Sequence, residues 1–191
     1  MPPNNRRRTP NRRAALPALL GIPVLLAGAV ALIGPRNIWE KIVGGDAGDV
    51  DFTAADFAAV LGDRPNIGLA APVGFFDAAL ADRVNHVVPD YSAAPEDIFA
   101  AVKEAALALP NIRLAEQNFA ASTLRLVRYS PTLGFPDTIN VRLVERPDGQ
   151  MSFVALARAR VGYSDLGMNA KLLGELIDAV SERLPVQAPQ T

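Results

Sequence analysis

The chain has 191 residues, 50% of them apolar and 20% charged, which suits one globular domain with appendages and excludes both a large multidomain assembly and a wholly disordered chain. Its formal charge of −1 is unevenly spread: residues 1–13 carry five arginines and no acid, so the remainder holds 14 basic against 20 acidic side chains. A basic arm on an acidic body excludes a nucleic-acid-binding domain, and zero cysteines with a single histidine exclude disulfides, thiol nucleophiles and multi-histidine zinc sites.

Arg6, Arg7, Arg8, Arg12 and Arg13 precede an uncharged run, rich in Leu, Val, Ala and Ile, that continues to Pro35. As a helix, residues 14–34 would be about 31 Å long, close to the hydrocarbon thickness of a bilayer. The arginines hold the amino end inside and send the body outward, and Trp39 lies where an indole settles at the interface. These features predict a basic cytoplasmic arm (1–13), a single-pass inner-membrane anchor (14–34), a tether (35–50), an exported domain facing the periplasm (51–184) and a disordered tail (185–191). Ala27-Gly28-Ala29 offers the rival reading of a cleaved signal peptide, but the apolar run continues through Ile33 before any charge. Arg12-Arg13 lacks the residues that follow a twin-arginine export signal.

The run GGDAGDVD over residues 44–51 reads as a flexible acidic tether. A short helix is expected next, with Thr53 as N-cap, Asp56 at the capping-box position, and Phe57, Val60 and Leu61 turned inward. Residues 62–95 read as loop with one strand at most. Pro95 then opens a helix, with Glu96 and Asp97 in its first turn. Ile98, Phe99, Val102, Ala105, Ala106 and Leu109 make its apolar face, and Pro110 ends it. Four strand-like runs follow near 111–117, 122–129, 137–146 and 150–161. A final helix over about 169–184, with Asn169 as N-cap, carries Leu172, Leu173, Leu176, Ile177, Val180 and Leu184 on one face. The expected fold is α+β: an antiparallel sheet of about four strands covered on one face by helices.

The last two strands meet at Arg146-Pro147-Asp148-Gly149-Gln150, a type I turn on Pro147-Asp148 with Gly149 left-handed. Placing Arg146 opposite Gln150 sets Leu143 against Phe153, Val141 against Ala155 and Ile139 against Ala157, an apolar face for the helices. The other face presents Asn140 across from Leu156, Arg142 across from Val154 and Thr138 across from Arg158. A slip of one residue would exchange the faces, and burial forbids it.

Two segments carry a family resemblance. One is Phe135-Pro136-Asp137, which opens a strand. The other, Ala157-Arg158-Ala159-Arg160-Val161-Gly162-Tyr163-Ser164-Asp165-Leu166-Gly167-Met168-Asn169, resembles the S-R-S-R-x-G-x-S-D-x-G-x-N block of the bacterial family of domains of unknown function numbered 1499. The resemblance runs from about Tyr91 to Leu184. It implies an exported or inner-membrane-tethered protein and no particular activity. Ala157 and Ala159 stand where serines are usual, so no role for those two hydroxyls operates here.

In the block itself, Gly162 and Gly167 permit unusual backbone angles, and Ser164 and Asp165 can accept from nearby backbone N–H groups. That makes the pair a structural turn, or a polar corner (Tyr163, Ser164, Asp165, Asn169) beside arginines that gather donors on an anionic group. The candidate ligand-binding residues are therefore Arg142, Arg158 and Arg160, with Arg125 as a fourth, and Tyr163, Ser164, Asp165 and Asn169. His86 is the sole conventional general base, but no G-x-S-x-G elbow surrounds Ser164 for a Ser164–His86–Asp165 triad. Asp137 with Asp165 could serve acid–base chemistry or bind calcium, yet no calcium-loop spacing surrounds them. No glycine-rich phosphate loop is present, and no cofactor is implied. The expected function is a non-catalytic envelope module that binds an anionic small molecule, a lipid headgroup or another envelope protein. The alternative is an envelope hydrolase or transferase using the Tyr163–Asp165 corner with His86.

Overall fold

The computed structural model describes residues 61, 65–162 and 164–186. In chain order these form β1 (Ile67–Ala71), α1 (Ala78–Ala81), β2 (His86–Val87), α2 (Pro95–Ala108), β3 (Ile112–Asn118), β4 (Thr123–Tyr129), β5 (Pro136–Glu145), β6 (Met151–Ala159) and α3 (Met168–Ser181). The fold is α+β, with a single six-stranded sheet in the order β2-β1-β6-β5-β4-β3. The strands β3 to β6 are an antiparallel meander. β1 pairs antiparallel with β6, and β2 pairs parallel with β1.

The expectation of about four strands misses β1 and β2. β1 reads IGLAA and is buried on both sides along four of its five residues, so no apolar–polar alternation marks it as a strand. β2 is only two residues long. By contrast, the β5–β6 hairpin has the expected register throughout, from Thr138 opposite Arg158 to Leu143 opposite Phe153. Arg146 N–H donates to Gln150 O at 2.8 Å, Gly149 N–H donates to Arg146 O at 2.9 Å, and Gly149 has φ +80°. A left-handed residue there lets the turn follow the twist of both strands.

That register turns Ile139, Val141, Leu143, Phe153, Ala155 and Ala157 toward the two long helices, where Leu124 and Leu126 of β4 join them. Ile98, Val102 and Ala105 of α2 and Leu172, Leu173, Leu176 and Val180 of α3 close the layer. Each buried aliphatic side chain contributes about 1.5–3 kcal/mol relative to exposure. Helix α2 starts as expected, with Pro95 in its first turn beside Glu96 and Asp97. Tyr91 stacks on Phe153 with ring centroids 6.1 Å apart, and its hydroxyl meets Ser181 Oγ at 3.2 Å.

The face away from these helices is not bare. Val154 and Leu156 are buried there in a second cluster with Leu61, Leu69, Ala71 and Phe76. Leu61 is helical and belongs to the helix expected after Thr53. The rest of that segment, the basic arm, the anchor span and the tether lie outside the described residues. Among the described residues, no helix is long and apolar enough to cross a membrane. At the other end, the first two residues of the expected tail, Pro185 and Val186, are described, and the rest of it lies outside the described residues. Ser92 N–H donates to Pro185 O at 3.2 Å, and Val186 bridges to Tyr91. These backbone bonds keep the end of α3 tied to the sheet.

Helix α3 lies unusually close to β1. A Cβ built on Gly68 would come within 2.6 Å of the Asn169 backbone carbon and 2.7 Å of Ala170 N, so only glycine fits. Gly68→Ala must push the helix off the strand, and we expect it to destabilise the domain by about 2–3 kcal/mol, the upper range for overpacking. Urea unfolding measures this; a midpoint unchanged from the parent would disprove the close-approach argument.

Candidate functional site

β6 ends at Ala159, and the chain turns into α3 through residues with positive φ: Gly162, Leu166 and Gly167. Ser164 Oγ accepts from Leu166 N–H at 3.2 Å. Asp165 Oδ1 accepts from Gly167 N–H at 3.1 Å, and Oδ2 accepts from Asn169 N–H at 2.7 Å. The Asp165 carboxylate thus covers two amides that the first turn of α3 leaves unpaired. Asn169 is not the N-cap. The helix begins one residue earlier, and Asn169 sits fully buried in its first turn. Its Nδ2 donates to Asn66 O at 3.2 Å, and Asn66 Nδ2 donates in turn to Gly162 O at 3.0 Å. Two asparagines therefore hold the β6–α3 turn against the start of β1. Tyr163 lies outside the described residues.

A cavity of about 260 Å³ opens between this turn and the ends of β4, β5 and β6. Ser164, Asp165 and Met168 form one wall, and Ser130, Pro131 and Phe135 of the β4–β5 connection form another. Its floor holds Arg128 and Asp137, direct partners in the β4–β5 ladder, with Ala159 and Val161 beside them. The alternation that buries Ile139 on the helix side also puts Asp137 there, two residues earlier, facing the turn into α3. Asp137 is only 9% exposed. Burial pushes its carboxyl up to about 6; the Arg128 guanidinium pulls it down and the Asp165 carboxylate pushes it further up. The side chains of Arg128 and Asp137 form no hydrogen bond and no ion pair among the described residues. Leu133 and Leu166, in the two loops that wall the cavity, are 52% and 93% exposed.

The structure brings Ser164 and Asp165 together with Asp137, but not with His86. His86 pairs with Ala70 at the far side of the sheet, and its ring packs where a Cβ on Gly174 would stand. Three strand spacings, about 14 Å, separate β2 from β5. The four arginines share the expected face without converging. Arg142 and Arg158 lie on adjacent strands, Arg142 level with Val154, so about 13 Å of strand separates them. Arg142 is exposed and borders a shallow depression with Phe75 and Val144. Arg158 and Arg160 are half-buried. Arg125 is level with Asn140 and forms an ion pair with Glu116 at 2.5 Å. The open sheet face imagined between them is instead filled by buried Val154, Leu156, Thr138 and Asn140.

Sequence reasoning overlooked Arg128, and it noted Asp137 in the Phe135–Asp137 segment and as a carboxylate to set beside Asp165, without a link to Arg128. The pairing of Arg128 with Asp137 depends on the β4–β5 register, and the connection between those strands lacks a short hairpin turn that would announce it. Among the described residues, no group of three His, Asp or Glu side chains is placed to hold a metal ion.

The raised pKa of Asp137 makes stability depend on pH. The folded chain holds that proton more tightly than the unfolded chain, so the contribution is fully present below about pH 4 and is lost as pH rises through about 6. Asp137→Asn keeps the shape and removes the charge. We expect it to raise unfolding free energy at pH 7.5 by on the order of 2 kcal/mol and to leave it unchanged near pH 4. Urea unfolding at the two pH values checks this; an equal effect at both would remove the buried-carboxylate explanation.

A family model described as "Protein of unknown function (DUF1499)" matches residues 69–180. No curated protein matches the chain. The family match runs from within β1 to within α3 and takes in every residue of the cavity. Because it spans more than half of the sequence and reproduces the family suggested by the Phe135–Asp137 and Ala157–Asn169 segments, this chain belongs to the DUF1499 family.

Proposed function

We propose that this protein is an exported, membrane-tethered domain that binds a small ligand in the cavity at the amino end of α3, without catalysing a reaction on it. One observation carries the reading: the guanidinium of Arg128 and the carboxyl of Asp137, a residue only 9% exposed, face the same apolar-walled space, and their side chains form no hydrogen bond or ion pair among the described residues. Concave, mostly apolar sites with a few convergent polar groups are the usual form of a ligand pocket.

Binding is favoured over catalysis by the state of the hydroxyls. Ser164 Oγ accepts from Leu166 N–H, and Ser130 Oγ accepts from Phe135 N–H at 2.9 Å. Both shape turns, and the imidazole of His86 stands on the far strand. Export and anchoring rest on the five arginines ahead of the uncharged run of residues 14–34. Such an arrangement would hold the cavity near the outer surface of the inner membrane, within reach of periplasmic solutes.

Two experiments test this reading. In a saturation-transfer fragment screen on the full chain in detergent, hits should disappear in Ala159→Met, whose longer side chain fills the cavity from β6. Hits that survive the substitution would move the binding site elsewhere. A periplasm-dependent phosphatase fused at the carboxyl end should be active, whereas a fusion active only with a cytoplasmic reporter would refute the export.

A further inference from the structure

We propose that the cavity takes a small zwitterion with an apolar substituent, an α-amino acid with a hydrocarbon side chain being the simplest, its carboxylate held by Arg128 and its ammonium by Asp137. This rests on the cavity being the ligand site and names the chemistry that the site selects.

The argument begins with the ladder. Arg128 and Asp137 are Cα partners on neighbouring strands, which sets their Cβ atoms about 4.5–5.5 Å apart. Opposite charges so placed ordinarily close on each other. Here both line the cavity, and their side chains form no ion pair. Asp165 does not take their place, because each of its oxygens already accepts a backbone N–H at the start of α3. The charged groups facing Asp137 are therefore Arg128 from β4 and Asp165 from the turn before α3.

Three ligand classes can be weighed by what each leaves unpaired. A simple anion satisfies Arg128 and confronts Asp137. A simple cation satisfies Asp137 and confronts Arg128. Either leaves one charge uncompensated beside a carboxyl that burial has already stripped of most of its water, and leaving a buried charge unpaired is costly. A molecule bearing both charges on neighbouring atoms pairs both. In an α-amino acid the nitrogen and the carboxylate carbon are about 2.5 Å apart, which matches two side chains projecting from directly opposed positions. The guanidinium can also take the carboxylate in a two-pronged fashion.

Size and lining point the same way. About 260 Å³ falls below the roughly 300–1,000 Å³ of pockets that hold drug-sized molecules, so the ligand is small. Phe135, Val161 and Met168 line the cavity with apolar surface, a surface suited to a hydrocarbon side chain. Leu166, in the same turn as Ser164 and Asp165, is 93% exposed with φ +56°, a backbone conformation that a bulky residue adopts only when the surrounding turn enforces it.

The test compares three ligands of one carbon skeleton on the full chain in detergent by calorimetry at about pH 7. Leucine carries both charges, isoamylamine only the ammonium, and 4-methylpentanoate only the carboxylate. Leucine should bind at least tenfold more tightly than either. Arg128→Gln and Asp137→Asn should each weaken leucine binding tenfold or more. In the parent chain, leucine affinity should fall about tenfold between pH 7 and pH 5 as Asp137 takes up a proton, and in Asp137→Asn it should not. A single-charge analogue that binds the parent as tightly as leucine would overturn the proposal, and so would either variant binding leucine like the parent. The ligand comparison needs no variant to fold. If none of the three binds while fragments still occupy the cavity, the zwitterion assignment is wrong and the cavity reading stands. If Ala159→Met leaves every fragment signal in place, the cavity reading itself is wrong.

Discussion

The β5–β6 ladder pairs nine residues against nine without a slip, from Asp137 opposite Ala159 to Glu145 opposite Met151, and the placement of nearly every other side chain depends on it. Because side chains alternate strictly along a strand, one register choice assigns all of them to a face. It sends Phe153, Val141 and Ile139 under the helices and Val154 and Leu156 to the opposite cluster. It also extends the helix-side row by one position past the end of the apolar set, to Asp137. A carboxyl there inherits the burial of the core without sharing its packing. The cavity lies between this end of the sheet and the turn that leads into α3.

A second junction decides where that helix layer stops. Gly68 lets the first turn of α3 rest on β1 at backbone contact distance, and the side-chain amides of Asn169 and Asn66 donate hydrogen bonds that tie the turn and helix to the start of β1. Asp165 then satisfies the exposed amides at the helix start. These contacts assign separate work to two nearby carboxylates. Asp165 is spent on structure, whereas Asp137 keeps both oxygens available and is desolvated enough to titrate near neutrality. Similar residues in one cavity thus differ in role through their surroundings alone.

Both faces of the sheet are occupied, which changes the reading of the arginines. Arg142, Arg158 and Arg125 do emerge on one face, as the alternation requires. Yet that face holds a second apolar cluster instead of a continuous charged surface. Distance along the strand separates guanidinium groups that a one-letter sequence places close together. Arg128, on the other face of the same strand as Arg125, has the more consequential neighbours: a buried carboxyl and an open space.

Local patterns in the sequence determined much of this protein. Proline followed by acids started α2, the apolar residues of α3 at helical spacing marked its buried stripe, and the Arg146–Gln150 turn with its flanking alternation specified both the hairpin register and its faces. Ser164 and Asp165 were legible as a turn for the same reason, since their partners lie within four residues. What only the tertiary structure decided involves partners far apart in the chain. β1 was hidden because a strand buried on both sides shows no periodicity, and β2 because it is only two residues long. Asn169, legible as a helix cap, is instead a buried tie to Asn66, a residue 103 positions away. Arg128 met Asp137 through a β4–β5 register that no tight turn dictated, and Asp165 met them only once α3 had settled on Gly68. Local geometry is encoded by neighbouring residues, whereas a cavity is defined by where separate elements end relative to one another, and that is settled only when they pack.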